Sequence, residues 1–366
     1  MIGLVQVGLG SWGREWAARV LPVVDGIELL GGVDTRQEAL AEACRLGFLR
    51  PGQCFADLEE ALAALGGEAV LVTTDLPSHV AAVETALAQG RHVLCEKPFA
   101  PSLGEAAGLV ELAERLGPTL MVSQNYRFFP AVRAAQSLLA GGSLGQLLHV
   151  ELDFRRFATP PPQGAPRGHH GWREPLLLDM SIHHFDLLRA VTGCEARSID
   201  CRTWNPAWAG FDDAPEGSAL IELDGGATVS YRGSWVRPGG ETPWAGEWRM
   251  ELEHGELWWT SRGDLTAGHD AAWRYDHGGR RRRLALPDVE LVDRAGALGE
   301  LVAALAEGRE PESSGRQNLG SLALTYAAIE SARRQRPVEL APAHPSRPVP
   351  APEPGAPPPA GADVRA

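Results

Sequence analysis

The chain is 366 residues long, with 44% hydrophobic and 22% charged residues. That is enough apolar material to bury a core and more length than one small core uses, so two domains are expected. Its formal net charge of −13 at pH 7 argues against attraction to nucleic acid or an anionic membrane and points to a small-molecule partner.

From Ile2 to Val122, short apolar runs (Ile2 to Val7, Ile27 to Val33, Ala69 to Thr73, His92 to Cys95 and Thr119 to Val122) alternate with Ala/Leu-rich helical stretches such as Leu58 to Leu65 and Val80 to Ala88. This alternation predicts an α/β Rossmann domain, a doubly wound parallel sheet, over residues 1–123. After Gln124 a helix is expected at Pro130 to Ala140. Strands follow at Leu147 to Phe157, Ala219 to Leu223, Thr228 to Val236, Trp248 to Glu253 and Glu256 to Thr260. Turn signals at Asp224 to Gly226 and at His254-Gly255 make this second unit, residues 124–340, an α+β domain with a largely antiparallel open sheet. Helices at Asp293 to Glu307 and Gln317 to Arg334 close it, and their sequence positions leave open which domain they cover. The Pro/Ala-rich segment 341–366 is predicted to be a disordered tail. Five scattered cysteines without a C-x-x-C pair read as reduced thiols. The opening M-I-G-L-V-Q-V-G has no secretory pattern, so a cytoplasmic protein is expected.

Gly8, Gly10 and Gly13 form G-x-G-x-x-G directly after the first apolar run and before a helical stretch. The first glycine permits a tight turn, the second lets backbone approach a pyrophosphate, and the third lets helix and strand pack closely. Ser11 and Trp12, inside the turn, count with these cofactor contacts. Asp34 ends the second run, where a carboxylate can accept hydrogen bonds from a ribose diol. It would repel a 2′-phosphate, so NAD is expected over NADP. Arg36 keeps NADP possible by pairing with that phosphate, or stacks on adenine, or is simply a solvated charge.

Lys97, in C-E-K-P after the fourth run, falls at the carboxyl edge of the expected sheet. There an ammonium can stabilise charge developing on a substrate oxygen, although spacing alone also allows a surface Glu–Lys pair. In L-L-L-D-M-S-I-H-H-F-D, Asp179 and His183 are four apart, one face of a helix, where the carboxylate could orient an imidazole base. A core histidine satisfied by a helical carboxylate is the alternative. His169, His170, His183 and His184 with Asp179 and Asp186 lack a recognised ligand spacing, and no metal is expected.

The segments G-L-G-S-W-G, V-D-T-R, T-T-D-L-P-S-H (Thr73 to His79), H-V-L-C-E-K-P (His92 to Pro98) and D-M-S-I-H-H-F-D (Asp179 to Asp186) occur in an order that resembles the Gfo/Idh/MocA family of oxidoreductases. The resemblance implies a nicotinamide enzyme acting on a hydroxyl of a sugar, polyol or related compound, with Lys97, Asp179 and His183 as the catalytic set. It further implies Thr73, Thr74, Pro77, His79, Glu96 and Asn125 at the cofactor, and Arg127, with His170 and Trp172 of the loop from Thr159 to Arg173, at the substrate. Asp75 stands where the family often has proline. A homodimer or homotetramer is also implied. Two other classes remain: an NAD-dependent glycoside hydrolase or lyase using transient oxidation, and a non-catalytic nucleotide-binding sensor, which would not need the proton-transferring groups.

Overall fold

A computed structural model describes residues 1–160, 167–263 and 266–341. The middle of the loop from Thr159 to Arg173, and the expected tail beyond 341, lie outside the described residues. The N-terminal half alternates as the periodicity predicts: β1 (Ile2–Val7), α1 (Ser11–Glu15), β2 (Ile27–Val33), α2 (Gln37–Arg45), β3 (Cys54–Phe55), α3 (Leu58–Leu65), β4 (Ala69–Val72), α4 (Leu76–Ala88), β5 (His92–Cys95), α5 (Leu103–Leu116) and β6 (Leu120–Val122). The six strands are parallel in the order β3-β2-β1-β4-β5-β6, so the strand order reverses between β1 and β4 and opens a crevice there. Local chemistry sets the helix ends. Asp57 Oδ1 accepts from the Glu60 amide to start α3, and Ser102 Oγ accepts from the Glu105 amide to start α5. Gly117, at φ +98°, ends α5.

The second half contains α6 (Pro130–Ala140), β7 (Leu147–Arg155), α7 (Ile182–Thr192), β8 (Ala196–Trp204), β9 (Glu216–Leu223), β10 (Thr228–Ser234), β11 (Glu247–Leu252), β12 (Gly255–Thr260), β13 (Ala271–Tyr275), β14 (Arg281–Arg283), α8 (Asp293–Glu307), α9 (Gly315–Arg334) and β15 (Val338–Glu339). Its nine strands run in the order β14-β13-β12-β11-β7-β10-β9-β8-β15, antiparallel except where β10 pairs with β7. Two adjacent rows across this sheet show how it is packed. Ile199, Ile221, Val229, Val150, Met250 and Leu257 are all fully buried, on the face covered by α7 and α9. The next row, through Leu220, Ser230, Glu151 and Arg249, faces outward.

The two closing helices divide their work. Ala297, Leu298 and Leu301 of α8 pack with Leu4, Trp16, Leu71 and Leu94, so α8 covers one face of the parallel sheet. Helix α9 lies against β8, α7 and α5 and so joins both sheets. No helix among the described residues is long and apolar enough to cross a membrane.

Candidate active site

The glycines make a tight turn packed closely against the start of α1. Gly8 has φ +93°, and a Cβ there would lie 2.6 Å from the Thr74 amide nitrogen. A Cβ on Gly13 would lie 1.9 Å from the Gly8 carbonyl oxygen. At Gly10, which precedes α1, the nearest atom to a Cβ is Arg36 Nη2 at 3.5 Å, leaving room for a ligand to approach backbone. Ser11 and Trp12 are exposed on the first turn of α1, which passes at Trp16 into a π-helical turn.

Asp34 closes this turn from the side. Its Oδ2 accepts from the Leu9 amide at 2.8 Å and its Oδ1 from the Arg36 amide at 2.9 Å. The Arg36 guanidinium folds back onto the same carboxylate, at 3.1 and 3.2 Å, instead of projecting as a free cation. Burial raises the Asp34 pKa, but these bonds outweigh it and hold the carboxyl below its usual value.

Two residues expected at the cofactor brace the loops around it. Thr73 Oγ1 donates toward the carbonyls of Val7 and Gly8. His79 is buried, with Nδ1 2.9 Å from the Pro98 carbonyl and Nε2 3.2 Å from that of Thr74, so its ring ties the loop after β4 to the loop after β5. Pro77 is exposed in the first turn of α4. Thr74 Oγ1 and both amide atoms of Gln124, at the carboxyl ends of β4 and β6, are buried without a hydrogen-bond partner. With the open approach at Gly10 and the carboxylate of Asp34, these orphaned groups at the carboxyl edge fit a dinucleotide.

Glu96 is buried and accepts from the Trp16 indole at 2.8 Å. Burial raises its pKa against the opposing pull of Lys97, the Trp12 and Trp16 indoles and Arg294. Next to it, Lys97 Nζ donates to Asp179 Oδ1 and to the Asp179 carbonyl, each at 2.8 Å. This corrects the expectation that Asp179 orients His183. The aspartate lies in a π-helical turn, Leu177–Ser181, which breaks the helical register behind the four-residue spacing. A full cation from the other domain also outbids a neutral imidazole for its oxygen.

The His183 ring instead stacks on Tyr126, with centroids 4.1 Å apart and planes at 3°. Its Nδ1 is buried without a partner. Burial first, then the charges of Lys97 and Arg262 and the neighbouring His184, press its pKa well below the usual value. The imidazole is therefore neutral at pH 7, the state a proton acceptor needs.

Arg127 is engaged within the protein. Its Nε and Nη2 donate to the two oxygens of Asp186, both at 2.6 Å, and its Nη1 donates to the Glu312 carbonyl. Each nitrogen of this buried guanidinium already donates one hydrogen bond within the protein, so it braces α7. Asn125 donates to Asp293. His170 is buried and stacked on Phe211, whereas Trp172 is half exposed beside the His169 ring. His169 Nδ1 lies 3.7 Å from Asp179 Oδ2, which brings this aromatic cluster, with Trp235, to the edge of the Lys97–Asp179 pair. Sequence reasoning gave Tyr126, Arg262, Asp293 and Trp16 no role, and no local motif marks them.

A doubly wound sheet with this glycine turn, carrying a lysine at its carboxyl edge and a neutral histidine from a second domain, defines a nicotinamide-dependent oxidoreductase. Residues 2–124 match the model of the oxidoreductase family with an NAD-binding Rossmann fold, and residues 132–257 match the GFO/IDH/MocA C-terminal domain. The chain belongs to the GFO/IDH/MocA family. It is 29% identical to a D-apiose dehydrogenase of Paraburkholderia graminis, over 87% of this chain and 84% of that one. It is 30% identical to an inositol 2-dehydrogenase of Streptomyces avermitilis, over 63% and 64%. Its fold matches that of an Agrobacterium radiobacter oxidoreductase solved with NAD+, L-tartaric acid and magnesium, with TM-score 0.78, 22% identity and coverage of 92% and 98%.

Proposed function

We propose that the protein moves hydride between NAD and a hydroxyl-bearing carbon of a sugar, polyol or related compound. The observation that carries this reading is the meeting of Lys97, Asp179 and a neutral His183 at the carboxyl edge of the dinucleotide sheet. The nicotinamide, when bound, supplies the hydride acceptor. The remaining chemistry belongs to the protein. His183 takes the hydroxyl proton, the Lys97 ammonium hydrogen-bonds the oxygen as charge grows on it, and Asp179 holds that ammonium in place. Gly10 and Asp34 hold the pyrophosphate and ribose. Because Asp34 opposes a 2′-phosphate, NAD is preferred to NADP. The half-exposed Trp172 ring beside His169 offers flat apolar surface to the C–H face of a ring, in keeping with relatives named for apiose and inositol.

The test is absorbance of the reduced cofactor with NAD and NADP over a sugar and polyol panel. Lys97→Ala and His183→Ala are each expected to lower turnover on a verified substrate by a factor on the order of a hundred, with NAD affinity nearly unchanged. His183→Ala turning over at the wild-type rate would sink the assignment of the base. The outward face of the large sheet, with Leu220 half exposed, is further proposed to carry a homodimer or homotetramer. A single 39.2 kDa species in light scattering at micromolar concentration would refute it.

A further inference from the structure

Because the Asp179 carboxylate is held by Lys97, something else must fix the plane of the His183 ring. The group in contact with that ring is Tyr126, and Tyr126 is itself gripped. Its hydroxyl accepts from Arg262 Nη1 at 3.1 Å, and Arg262 Cζ lies 4.4 Å from the centroid of its ring. The other two nitrogens of Arg262 reach Asp293: Nε to Oδ1 at 3.4 Å and Nη2 to Oδ2 at 3.3 Å. Asp293 Oδ1 also accepts from Asn125 Nδ2. One ion pair thus holds two consecutive residues of the segment on which the imidazole rests, and Tyr126, Arg262 and Asp293 are all buried.

The backbone makes the same point independently. Among the described residues only four that are not glycine have positive φ, and two of them are Arg262 at 59° and Asp293 at 58°. The left-handed region is unfavourable for residues with a Cβ, and glycine would relieve it at either position. Here, however, the two strained residues are bonded to each other, and the Asp270 carboxylate accepts from the Arg262 amide at 3.0 Å to hold the turn. Strain of this kind persists where surrounding structure over-determines it, and it clusters at functional sites.

We propose that Arg262 is a positioning residue for His183: paired with Asp293, it clamps the Tyr126 ring, and that ring sets the place and plane of the imidazole that accepts the substrate proton. The proposal rests on the reading of His183 as the base given above. The clamp also brings a cation close to the imidazole. The groups that shift His183 are Lys97 from the loop after β5, Arg262 from the loop after β12 and His184 on its own helix, while the Asp179 carboxylate is tied to Lys97 and the Tyr126 ring lies against the imidazole. Burial and the two cations dominate, and they favour the neutral ring.

The experiment uses the full chain with Arg262→Met and Tyr126→Leu, and with Arg262→Lys and Tyr126→Phe as partial rescues. Arg262→Met and Tyr126→Leu are expected to lower kcat about ten- to a hundredfold, the cost of a base misplaced by roughly an ångström, while NAD affinity stays within about twofold of wild type. The rescues recover part of that loss. In the free protein, an NMR titration of the His183 ring, assigned by its absence from His183→Gln, shows its pKa raised in Arg262→Met because a neighbouring cation is gone. Wild-type turnover and an unmoved titration in these variants overturn the clamp, as does a loss that falls equally on NAD binding. If circular dichroism shows Arg262→Met and Tyr126→Leu unfolded, Arg262→Lys and Tyr126→Phe decide by the same readings. A reduced kcat with intact NAD affinity supports the clamp, and wild-type values in both variants overturn it. Failure of the base assignment itself is seen separately, as an active His183→Ala.

Discussion

Two carboxylates bracket His183, Asp179 one turn before it and Asp186 one turn after, and each meets a cation from a distant part of the chain. The Asp186–Arg127 pair is sealed, with side chains 2% and 5% exposed and each guanidinium nitrogen already donating one hydrogen bond. The Asp179–Lys97 pair keeps 21% and 13% exposure and an ammonium that can still turn toward a ligand. On the proposed reading, incomplete burial is what leaves the Lys97–Asp179 pair able to serve in chemistry. A fully buried pair of the same charges is a staple.

Removing one partner of each pair breaks this contrast if it is wrong. Asp186→Ala strands a buried guanidinium and is expected to lower stability by about 3–5 kcal/mol, read by chemical denaturation. Asp179→Ala leaves Lys97 its carbonyl contact and a path to water, so the melting temperature stays near wild type while turnover falls at least about tenfold. Equal stability losses in the two variants would erase the distinction.

Acid sharpens the comparison next. Burial outweighs a bond to the Trp244 carbonyl and lowers the His184 pKa to about 4, and burial likewise lowers that of His183. A histidine depressed in the folded state binds its proton more readily when unfolded. Its stabilising contribution is therefore full above the unfolded value near 6.5 and is lost as pH falls through the folded value. For His184 that amounts to roughly 3 kcal/mol between about pH 6.5 and 4. Denaturant midpoints across that range should fall steadily, while the acid limb of kcat/KM lies below pH 6.5. An acid limb above pH 6.5 would show that His183 is not the depressed base described here.

The smallest effect belongs to the pair at the other end of the cleft. Arg36 is 63% exposed, so Arg36→Ala should cost less than about 1 kcal/mol in thermal or chemical melts. It also frees the Asp34 carboxylate of its counter-charge, and NAD is then expected to be favoured over NADP still more strongly in direct binding. A gain in NADP affinity would contradict that account.

What was legible in the sequence follows from how far each residue's partners lie along the chain. The turn that Gly8, Gly10, Gly13 and Asp34 build lies within one β-α-β unit, and its pattern is visible in the sequence. The Lys97–Asp179, Tyr126–Arg262 and Asn125–Asp293 contacts span 82, 136 and 168 residues, and no periodicity reports such separations. Lys97, Asp179 and His183 are singled out as a set only by the family resemblance, and the bond between Lys97 and Asp179 is not signalled at all. Among strands, β8 escaped notice because a register shift between Ala196 and Ser198 breaks its alternation. The triple arginine of β14 offers no apolar residue to signal a strand.

Helix α8 has a consequence for synthesis on the ribosome. The parallel sheet is complete in strands once β6 has emerged, but the apolar patch of Leu4, Trp16, Leu71 and Leu94 is covered only when Ala297, Leu298 and Leu301 arrive. At the usual elongation rate of about 5–20 residues per second, that interval is roughly 10–40 s. Throughout it the nascent nucleotide domain presents a greasy face to chaperones and to its neighbours on the polysome. A fragment cut after the last parallel strand inherits that exposed face permanently.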